Sequence, residues 1–185
     1  MTETEVKIRW DAPSAEAQAL IESQGYRLHV PRTLEINQLF DRPLGELKQA
    51  GLVLRLRRAG ERFTVTYKGP ALRRPYKSRE EIEFQVSDAE ALEAVLDRLG
   101  YQPGFRYEKY RTEFSDPAGA GLITLDETPV GVFLELEGAE DWIDGAAKRL
   151  GFAKDDYILL SYSTLYANYR EQHAAASRNM TFGLE

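Results

Sequence analysis

The sequence predicts an α+β domain built around a largely antiparallel sheet. Eight segments alternate apolar or β-branched residues with polar ones, which is the period of a strand with two unlike faces. Turn signals separate several of them, including Arg58-Ala59-Gly60-Glu61 and Ser115-Asp116-Pro117-Ala118-Gly119, as expected for antiparallel hairpins. Four segments of helical character accompany the strands, so strands and helices belong to one mixed fold.

The elements follow one another in chain order. Alternation places the strands at residues 3–10, 34–41, 52–58, 62–68, 79–86, 105–115, 121–127 and 131–138. The helices are expected at residues 13–24, 88–99, 139–150 and 162–172. Capping signals support two of these helices. Ser14 lies near the start of the first helix, whereas Ser87-Asp88 precedes the second and Gly100 follows it.

Length and composition narrow the classes of protein to consider. The chain has 185 residues, 43% of them hydrophobic and 29% charged, which predicts one domain over residues 1–172 and a flexible C-terminal tail over 173–185. A net charge of −6, spread along the chain, argues against nucleic acid as a partner. The absence of cysteine excludes disulfides, thiol catalysis and Cys-based metal sites.

The sequence gives no sign of a membrane or secretory protein. No apolar run approaches the roughly 20 residues that a membrane-spanning helix needs, and no signal peptide precedes the first strand. A soluble cytoplasmic protein is therefore expected. Its two histidines, His29 and His173, are too few for a His-rich metal site and do not favour an ordinary Ser-His-Asp hydrolase.

Charged residues occur in pairs on one face of several predicted strands. The acidic pairs are Glu3 and Glu5, Glu81 and Glu83, and Glu135 and Glu137; the basic pairs are Arg55 and Arg57, and Lys109 and Arg111. Lys7 and Arg9 follow the first acidic pair on the same face. A solvated sheet face is the simplest explanation for any single strand. It does not explain why the pairs segregate by charge across five strands.

A curled or closed sheet would turn the charged faces toward one another and leave the apolar faces for the helices. This inverts the usual small barrel, whose interior is filled by packed side chains. Buried charge is costly unless it is paired or coordinated, so such an interior indicates a functional site. Six or more bases suit a polyphosphate, and carboxylates without histidine or cysteine suit Mg²⁺ or Mn²⁺.

The N-terminal pattern Glu3-x-Glu5-x-Lys7 resembles the E-x-E-x-K signature of the CYTH superfamily, a group of triphosphate tunnel metalloenzymes. Further motifs occur in the family's order: N-Q-L-F-D (37–41), G-L-V-L-R-L-R (51–57), Lys68-Gly69, R-E-E-I-E (79–83), E-K-Y-R (108–111), L-D-E (125–127), F-L-E-L-E (133–137) and L-L-S-Y-S-T-L (159–165). Together these motifs extend the resemblance over most of the chain.

This resemblance implies an eight-stranded antiparallel closed β-barrel, with a charged lumen and helices packed outside. The implied triphosphate-binding residues are Lys7, Arg55, Arg57, Lys68, Arg79, Lys109 and Arg111. The implied residues for a site of Mg²⁺ or Mn²⁺ are Glu3, Glu5, Glu81, Glu83, Asp126, Glu135 and Glu137. Lys7, Lys68 and Arg111 are the candidate catalytic residues.

The resemblance further implies a divalent-metal-dependent enzyme that acts on a triphosphate. The stretches L-G-Y-Q-P-G-F-R-Y-E-K-Y-R and L-S-Y-S-T-L are similar to bacterial class IV adenylate cyclases, which convert ATP to cyclic AMP and pyrophosphate. One alternative is a hydrolase of thiamine triphosphate or inorganic tripolyphosphate, because the tunnel residues would bind the triphosphate common to all these substrates. Another is a non-catalytic polyphosphate- or nucleotide-binding module. The oligomeric state stays open, a homodimer included.

Some polar and aromatic residues have simpler explanations than a role in the site. Ser161 and Tyr162 are expected to cap and pack the last helix, and His29 is expected in a loop. Lys77 precedes a predicted strand and is expected in a solvated loop. If that loop folds over the tunnel mouth, Lys77 could steer anions toward it.

Overall fold

The structure, a computed structural model, describes residues 2–73 and 75–183. The strands are β1 (Thr2–Trp10), β2 (Arg27–Asp41), β3 (Val53–Ala59), β4 (Arg62–Lys68), β5 (Leu72–Arg73), β6 (Lys77–Val86), β7 (Gln102–Ser115), β8 (Gly121–Thr128) and β9 (Gly131–Gly138). The helices are α1 (Ser14–Ser23), α2 (Glu46–Gln49), α3 (Ala89–Arg98), α4 (Glu140–Arg149) and α5 (Tyr162–Gln172). No helix in this described part of the chain combines the length and apolar composition that crossing a bilayer requires.

Eight of the strands form a closed antiparallel barrel. Their order is β1-β9-β8-β7-β2-β3-β4-β6, and β6 pairs back to β1 through contacts such as Glu3 opposite Arg79. The two-residue strand β5 pairs only with β6. The predicted α+β class and the eight-stranded antiparallel closed barrel are confirmed.

The register of the strands brings charged residues from neighbouring strands onto one face. Lys7 of β1 lies opposite Glu135 of β9, and Lys68 of β4 lies opposite Glu81 of β6. Directly opposed residues of an antiparallel pair point to the same side of the sheet. The alternation within each strand therefore becomes a continuous charged surface inside the barrel.

Most of the hydrophobic core lies outside the barrel, between its outer surface and the helices. Val6 and Leu134 face Ile21 of α1 and Ile143 of α4, and all four side chains are buried. On the far side, Leu96 of α3 packs in a second cluster on β3 and β4. Helix α3 begins as predicted, because the carboxylate of Asp88 accepts a 2.9 Å hydrogen bond from the N–H of Ala91.

The largest departure from the predicted strands is β2, which extends N-terminally to Arg27 instead of starting at residue 34. Pro31 interrupts the pattern of this strand, since proline cannot donate a ladder hydrogen bond. The structure accommodates it through register shifts against β7 between Leu28 and Val30 and between Val30 and Thr33. Strand β6 also begins earlier than predicted, at Lys77.

The segment that follows α5 packs against β7. Met180 is fully buried, its N–H donates to the carbonyl of Arg106 at 3.0 Å, and its carbonyl accepts from the N–H of Glu108 at 2.8 Å. The ring of Phe182 lies 5.1 Å from that of Tyr110. A loose tail was expected for residues 173–185, but this segment is packed on the barrel as far as Phe182. Residues 184 and 185 lie outside the described part of the chain. The contacts of Met180 and Phe182 hold this segment, and such isolated contacts leave no periodic pattern in the sequence from which they could be predicted.

Candidate active site in the barrel interior

The barrel encloses a cavity of about 290 Å³, which we call the tunnel. Its basic lining residues are Lys7, Arg55, Arg57, Lys68, Lys77, Arg79, Lys109 and Arg111. Its acidic lining residues are Glu3, Glu5, Glu81, Glu83, Glu113, Glu135 and Glu137. The structure thus brings together every residue predicted for the site except Asp126, which does not line the cavity.

The basic side of the tunnel is formed mainly by β3 and β7. Arg55 donates to Thr66 Oγ1 at 3.0 Å and to the hydroxyl of Tyr107 at 3.4 Å. Arg57 reaches Glu35 at 3.3 Å and Glu83 at 3.1 Å. Burial opposes the charge of Arg55, but Tyr107 and the nearby carboxylates outweigh it and raise its pKa above the usual value. The guanidinium group of Arg55 is therefore held charged inside the barrel.

Asp126 lies beneath this side as a fully buried counter-ion. It accepts hydrogen bonds from Lys109 at 2.8 Å, from Arg111 at 2.6 and 2.7 Å, and from the hydroxyl of Tyr162 at 2.7 Å. Both carboxylate oxygens are thereby occupied. Asp126 is on the inner face of the barrel, but these donors cover it, so it does not line the tunnel as the metal-binding role expected for it would require. It lies opposite Arg111 in the β7–β8 register, which explains why it pairs with that base.

Glu135 links two of the candidate catalytic residues. Its two carboxylate oxygens accept hydrogen bonds from Lys7 and Arg111. Burial opposes ionisation of Glu135, yet the charges of Lys7 and Arg111 hold its pKa well below the usual range. The same pairing raises the pKa of Lys7 despite its burial. Lys7 and Arg111 are therefore charged and spatially fixed by one carboxylate.

Three carboxyl groups meet at one corner of the tunnel, which we call the acidic corner: Glu3, Glu81 and Glu137. Glu3 is hydrogen-bonded to both of the others, and Lys68 lies 3.3 Å from Glu3 and also bonds Glu81. Burial opposes ionisation of Glu3, but the hydrogen bond with Glu81 and the charge of Lys68 lower its pKa to about 2. Burial and the neighbouring Glu3 raise the pKa of Glu81 to about 7 and that of Glu137 to about 8.

The donor chemistry of the acidic corner fits a hard divalent cation. Three oxygen ligands with no nitrogen or sulfur suit Mg²⁺ or Mn²⁺, and a cation would replace the protons that hold such a cluster of carboxyl groups together. Within residues 2–73 and 75–183, no three acidic or histidine side chains are already arranged to enclose an ion. Glu5 is bonded to Lys77 instead.

Several residues of the site were not identified from the sequence. Lys77 was expected in a solvated loop but is 5% exposed inside the tunnel; its spacing of two from Arg79 on β6 was the available signal. Glu35 is buried and bridges Arg57 and Lys109, which lies 3.6 Å away. No charged doublet marked Glu35 in the sequence, because it stands alone among neutral residues on its face of β2.

Tyr162 also has more than the capping and packing role expected for it. The amines of Lys7 and Lys109 lie 4.3 and 5.1 Å from the centre of its ring, within the range of cation–π contacts. Ser161 does cap α5, since its hydroxyl accepts from the N–H of Thr164 at 3.2 Å. Arg9 is half-exposed and pairs with Asp11 at 2.9 Å, so it lies outside the site.

The tunnel opens at both ends. Leu39, Val53, Lys77 and Arg79 line both the tunnel and a larger cavity of about 590 Å³. At the other end the tunnel continues into a polar cavity of about 450 Å³, which we call the second mouth. A chain-like anion could therefore lie along the tunnel with one end in the larger cavity.

Comparisons with known proteins agree with this geometry. The model of the CYTH domain family matches residues 1–149. A Methanocaldococcus jannaschii protein provisionally named as an adenylate cyclase is 28% identical over 174 residues, covering 89% of this chain and 98% of the relative.

Solved structures share the fold. A Vibrio parahaemolyticus protein provisionally named as an adenylate cyclase superposes with a TM-score of 0.79 at 19% identity, covering 90% of this chain and 98% of the other. A Hippeastrum protein provisionally named as an adenylyl cyclase, and described as having a dominant triphosphatase activity, gives a TM-score of 0.63 at 20% identity. The covered shares are 92% of this chain and 96% of the Hippeastrum protein.

Proposed function

This chain belongs to the CYTH family, and from that premise we propose that it is a divalent-metal-dependent enzyme acting on a triphosphate in the tunnel. The proposed reaction is that of a class IV adenylate cyclase, which forms cyclic AMP and pyrophosphate from ATP. The observation that carries the proposal is the convergence of eight bases on one enclosed cavity with an acidic corner. Six or more fixed bases match the charge of a triphosphate and exceed that of a single carboxylate or phosphate.

Binding would proceed by exchange of ion-pair partners. In the structure each base of the tunnel is paired with a carboxylate, for example Lys7 with Glu135 and Lys68 with Glu81. Phosphate oxygens can accept the same hydrogen bonds, and arginine forks can grip them bidentately. Asp126 and Glu35 are buried carboxylates that do not line the tunnel, and they keep Lys109, Arg111 and Arg57 oriented during this exchange. Such preorganised charge is the principal contribution that proteins make to phosphoryl-group reactions.

Members of the CYTH family that act on triphosphates in such tunnels are generally dependent on a divalent metal. Glu3, Glu81 and Glu137 would hold Mg²⁺ or Mn²⁺ here. When bound there, such a cation would supply charge neutralisation for the phosphates and favour attack by an oxygen nucleophile. The carboxylates themselves repel phosphate oxygens, so their presence beside a phosphate-binding wall fits a cation between the two.

In the cyclase reaction the 3′-oxygen of ribose bonds to the α-phosphorus. The bond from that phosphorus to the bridging oxygen breaks, pyrophosphate leaves, and the hydroxyl proton is released. The residues of this chain would align the phosphates for in-line attack. Lys7, Lys68 and Arg111 would stabilise the negative charge of the reacting phosphates. No covalent intermediate on the protein is needed.

Hydrolysis is the second candidate, with water replacing the ribose hydroxyl as nucleophile. One feature favours it: the second mouth is polar and includes Thr33, Thr64, Arg62 and Gln85, so water can reach the tunnel opposite the larger cavity. The Hippeastrum protein named above carries a dominant triphosphatase activity on a similar fold. The products would then be a diphosphate and orthophosphate.

Phosphorus NMR of the purified protein tests both candidates. The protein is incubated with ATP and Mn²⁺, and separately with tripolyphosphate and Mn²⁺. A cyclic phosphodiester signal together with pyrophosphate supports the cyclase, whereas orthophosphate supports the hydrolase. Arg57→Gln should lower either activity at least tenfold, while Arg58→Gln, on the exposed outer face of the same strand, should not. Absence of any metal-dependent product from both substrates would reject the proposed enzyme.

A further inference from the structure

The cavity of about 590 Å³ next to the tunnel has a chemistry of its own, and we call it the outer chamber. It is continuous with the tunnel, because Leu39, Val53, Lys77 and Arg79 line both. A ligand whose phosphates occupy the tunnel would extend its remaining part into this chamber. Its size falls within the range of about 300–1,000 Å³ typical of small-molecule sites.

One wall of the outer chamber is apolar and aromatic. Leu39 and Phe105 belong to one packed cluster with Tyr166 of α5, and the rings of Phe105 and Tyr166 are in contact, with centres 5.7 Å apart. The surface of the tunnel, in contrast, is mostly polar. A flat organic moiety attached to a triphosphate would therefore find its apolar contacts in the chamber.

The charged groups of the outer chamber are almost all basic. Lys48, Arg170 and Arg178 line it in addition to Lys77 and Arg79. No carboxylate in residues 2–73 or 75–183 forms an ion pair with Lys48, Arg170 or Arg178. The bases of the tunnel, by comparison, are each matched by an acid.

Asp41 is the one acidic residue of the described chain that lines the outer chamber. Its oxygens accept hydrogen bonds from the backbone N–H groups of Arg42 at 2.7 Å, Leu47 at 2.9 Å and Lys48 at 3.0 Å. The carboxylate is thus committed to holding the turn before and within α2. It is poorly available to pair with a positive group of a ligand.

From this distribution of charge we propose that the outer chamber selects triphosphates with a neutral organic moiety, such as a nucleoside, over those with a cationic one, such as the thiazolium of thiamine triphosphate. The inference rests on the proposed function of the tunnel and adds the class of substrate. A cationic ring in the chamber would face unpaired bases and find no free carboxylate.

Two of the three unpaired bases of the chamber come from the C-terminal part of the chain. Arg170 and Arg178 both lie beyond residue 149, where the family match ends. Arg178 is carried by the segment that packs on β7, which Asn179 anchors by accepting a 3.0 Å hydrogen bond from the N–H of Arg106. Selection among organic moieties is therefore separated from the tunnel residues, which bind the triphosphate common to all these ligands.

Thermal-shift titrations would compare tripolyphosphate, ATP and thiamine triphosphate, first in EDTA and then with Mn²⁺. The double variant Arg170→Gln/Arg178→Gln removes two exposed bases of the chamber. Arg27→Gln/Arg98→Gln removes two exposed bases that line neither the tunnel, nor the outer chamber, nor the second mouth, so the net charge changes equally. We expect the unmodified protein to bind ATP about tenfold more tightly than thiamine triphosphate. In the chamber variant this ratio should fall severalfold, while the control variant keeps it.

The outcomes separate this inference from the proposed function. If tripolyphosphate produces no shift under either condition, the tunnel does not bind triphosphates and the proposed function fails. If tripolyphosphate binds but thiamine triphosphate binds as tightly as ATP, the tunnel stands and the selection is rejected. Equal effects of the chamber and control variants would likewise reject a role for Arg170 and Arg178.

Discussion

The hydroxyl of Tyr162 lies 2.7 Å from Oδ2 of Asp126, and this contact ties helix α5 to the inner wall of the barrel. Asp126 in turn holds Lys109 and Arg111 in the tunnel. Tyr162 lies beyond residue 149, where the family match ends. The last helix is therefore part of the structure that orients the phosphate-binding bases, in addition to covering the barrel.

Replacing Tyr162 with phenylalanine removes the hydroxyl and keeps the ring. We expect the free energy of unfolding to fall by about 1–2 kcal/mol, because a buried hydrogen bond to a charged acceptor is lost while three other donors still satisfy Asp126. Affinity for tripolyphosphate should fall only severalfold. Urea unfolding and calorimetry measure the two effects. Tyr169→Phe, on the exposed side of α5, is the control and should change neither by more than about 0.5 kcal/mol.

Asp126→Asn tests whether this residue is a counter-ion or a metal ligand. Loss of its charge leaves Lys109 and Arg111 with fewer partners in a buried place, so we expect a loss of about 3–5 kcal/mol in stability. Bound tripolyphosphate should restore part of that stability by supplying negative charge. Mn²⁺ affinity, measured by titration of the folded variant, should stay within a few fold. A stable variant that has lost Mn²⁺ binding would instead make Asp126 a metal ligand.

Glu137→Gln tests the acidic corner. The amide keeps the shape of the side chain and resembles the protonated carboxyl that burial and Glu3 favour, so stability should change by less than about 1 kcal/mol. Mn²⁺ affinity should fall at least tenfold, because a neutral amide is a weaker ligand for a hard cation, and turnover should fall with it. Glu3→Gln should act in the same direction.

The matched control is Glu113→Gln, since Glu113 also lines the tunnel but lies at the second mouth, away from the acidic corner. It should leave the metal dependence unchanged. Activity that is unaffected by Glu137→Gln at every Mn²⁺ concentration would remove Glu137 from the metal site.

The repeated charged positions allowed much of the barrel to be predicted, because an alternating strand fixes which side chains share a face. For that reason the pairs Arg55 with Arg57 and Lys109 with Arg111 could be predicted to lie on the same charged face. Single residues were harder: Glu35 and Tyr162 have no charged neighbour two positions away to mark them. Their place in the site depends on contacts between distant strands and on how α5 docks, which no local pattern encodes. The opposite error occurred at Pro31: the sequence pattern predicted no strand there, whereas β2 includes Pro31 at a register shift against β7.

The buried carboxylate of Glu35 predicts how stability depends on pH. Burial opposes its ionisation, but the charges of Lys109, Arg111 and Arg57 outweigh that effect and lower its pKa from 4.5 to about 2. A depressed pKa in the folded state stabilises the fold above pH 4.5, and this contribution is lost as pH falls from 4.5 toward 2.

At neutral pH, Glu35→Gln should therefore cost up to about 3 kcal/mol. The difference between the two proteins in urea unfolding should shrink steadily as the pH is lowered through that range. The control is Glu61→Gln, in the exposed β3–β4 turn; its free energy of unfolding should differ from that of the unmodified protein by the same amount at every pH. A difference that stays constant from pH 7 to pH 3 would mean that Glu35 acts through packing alone.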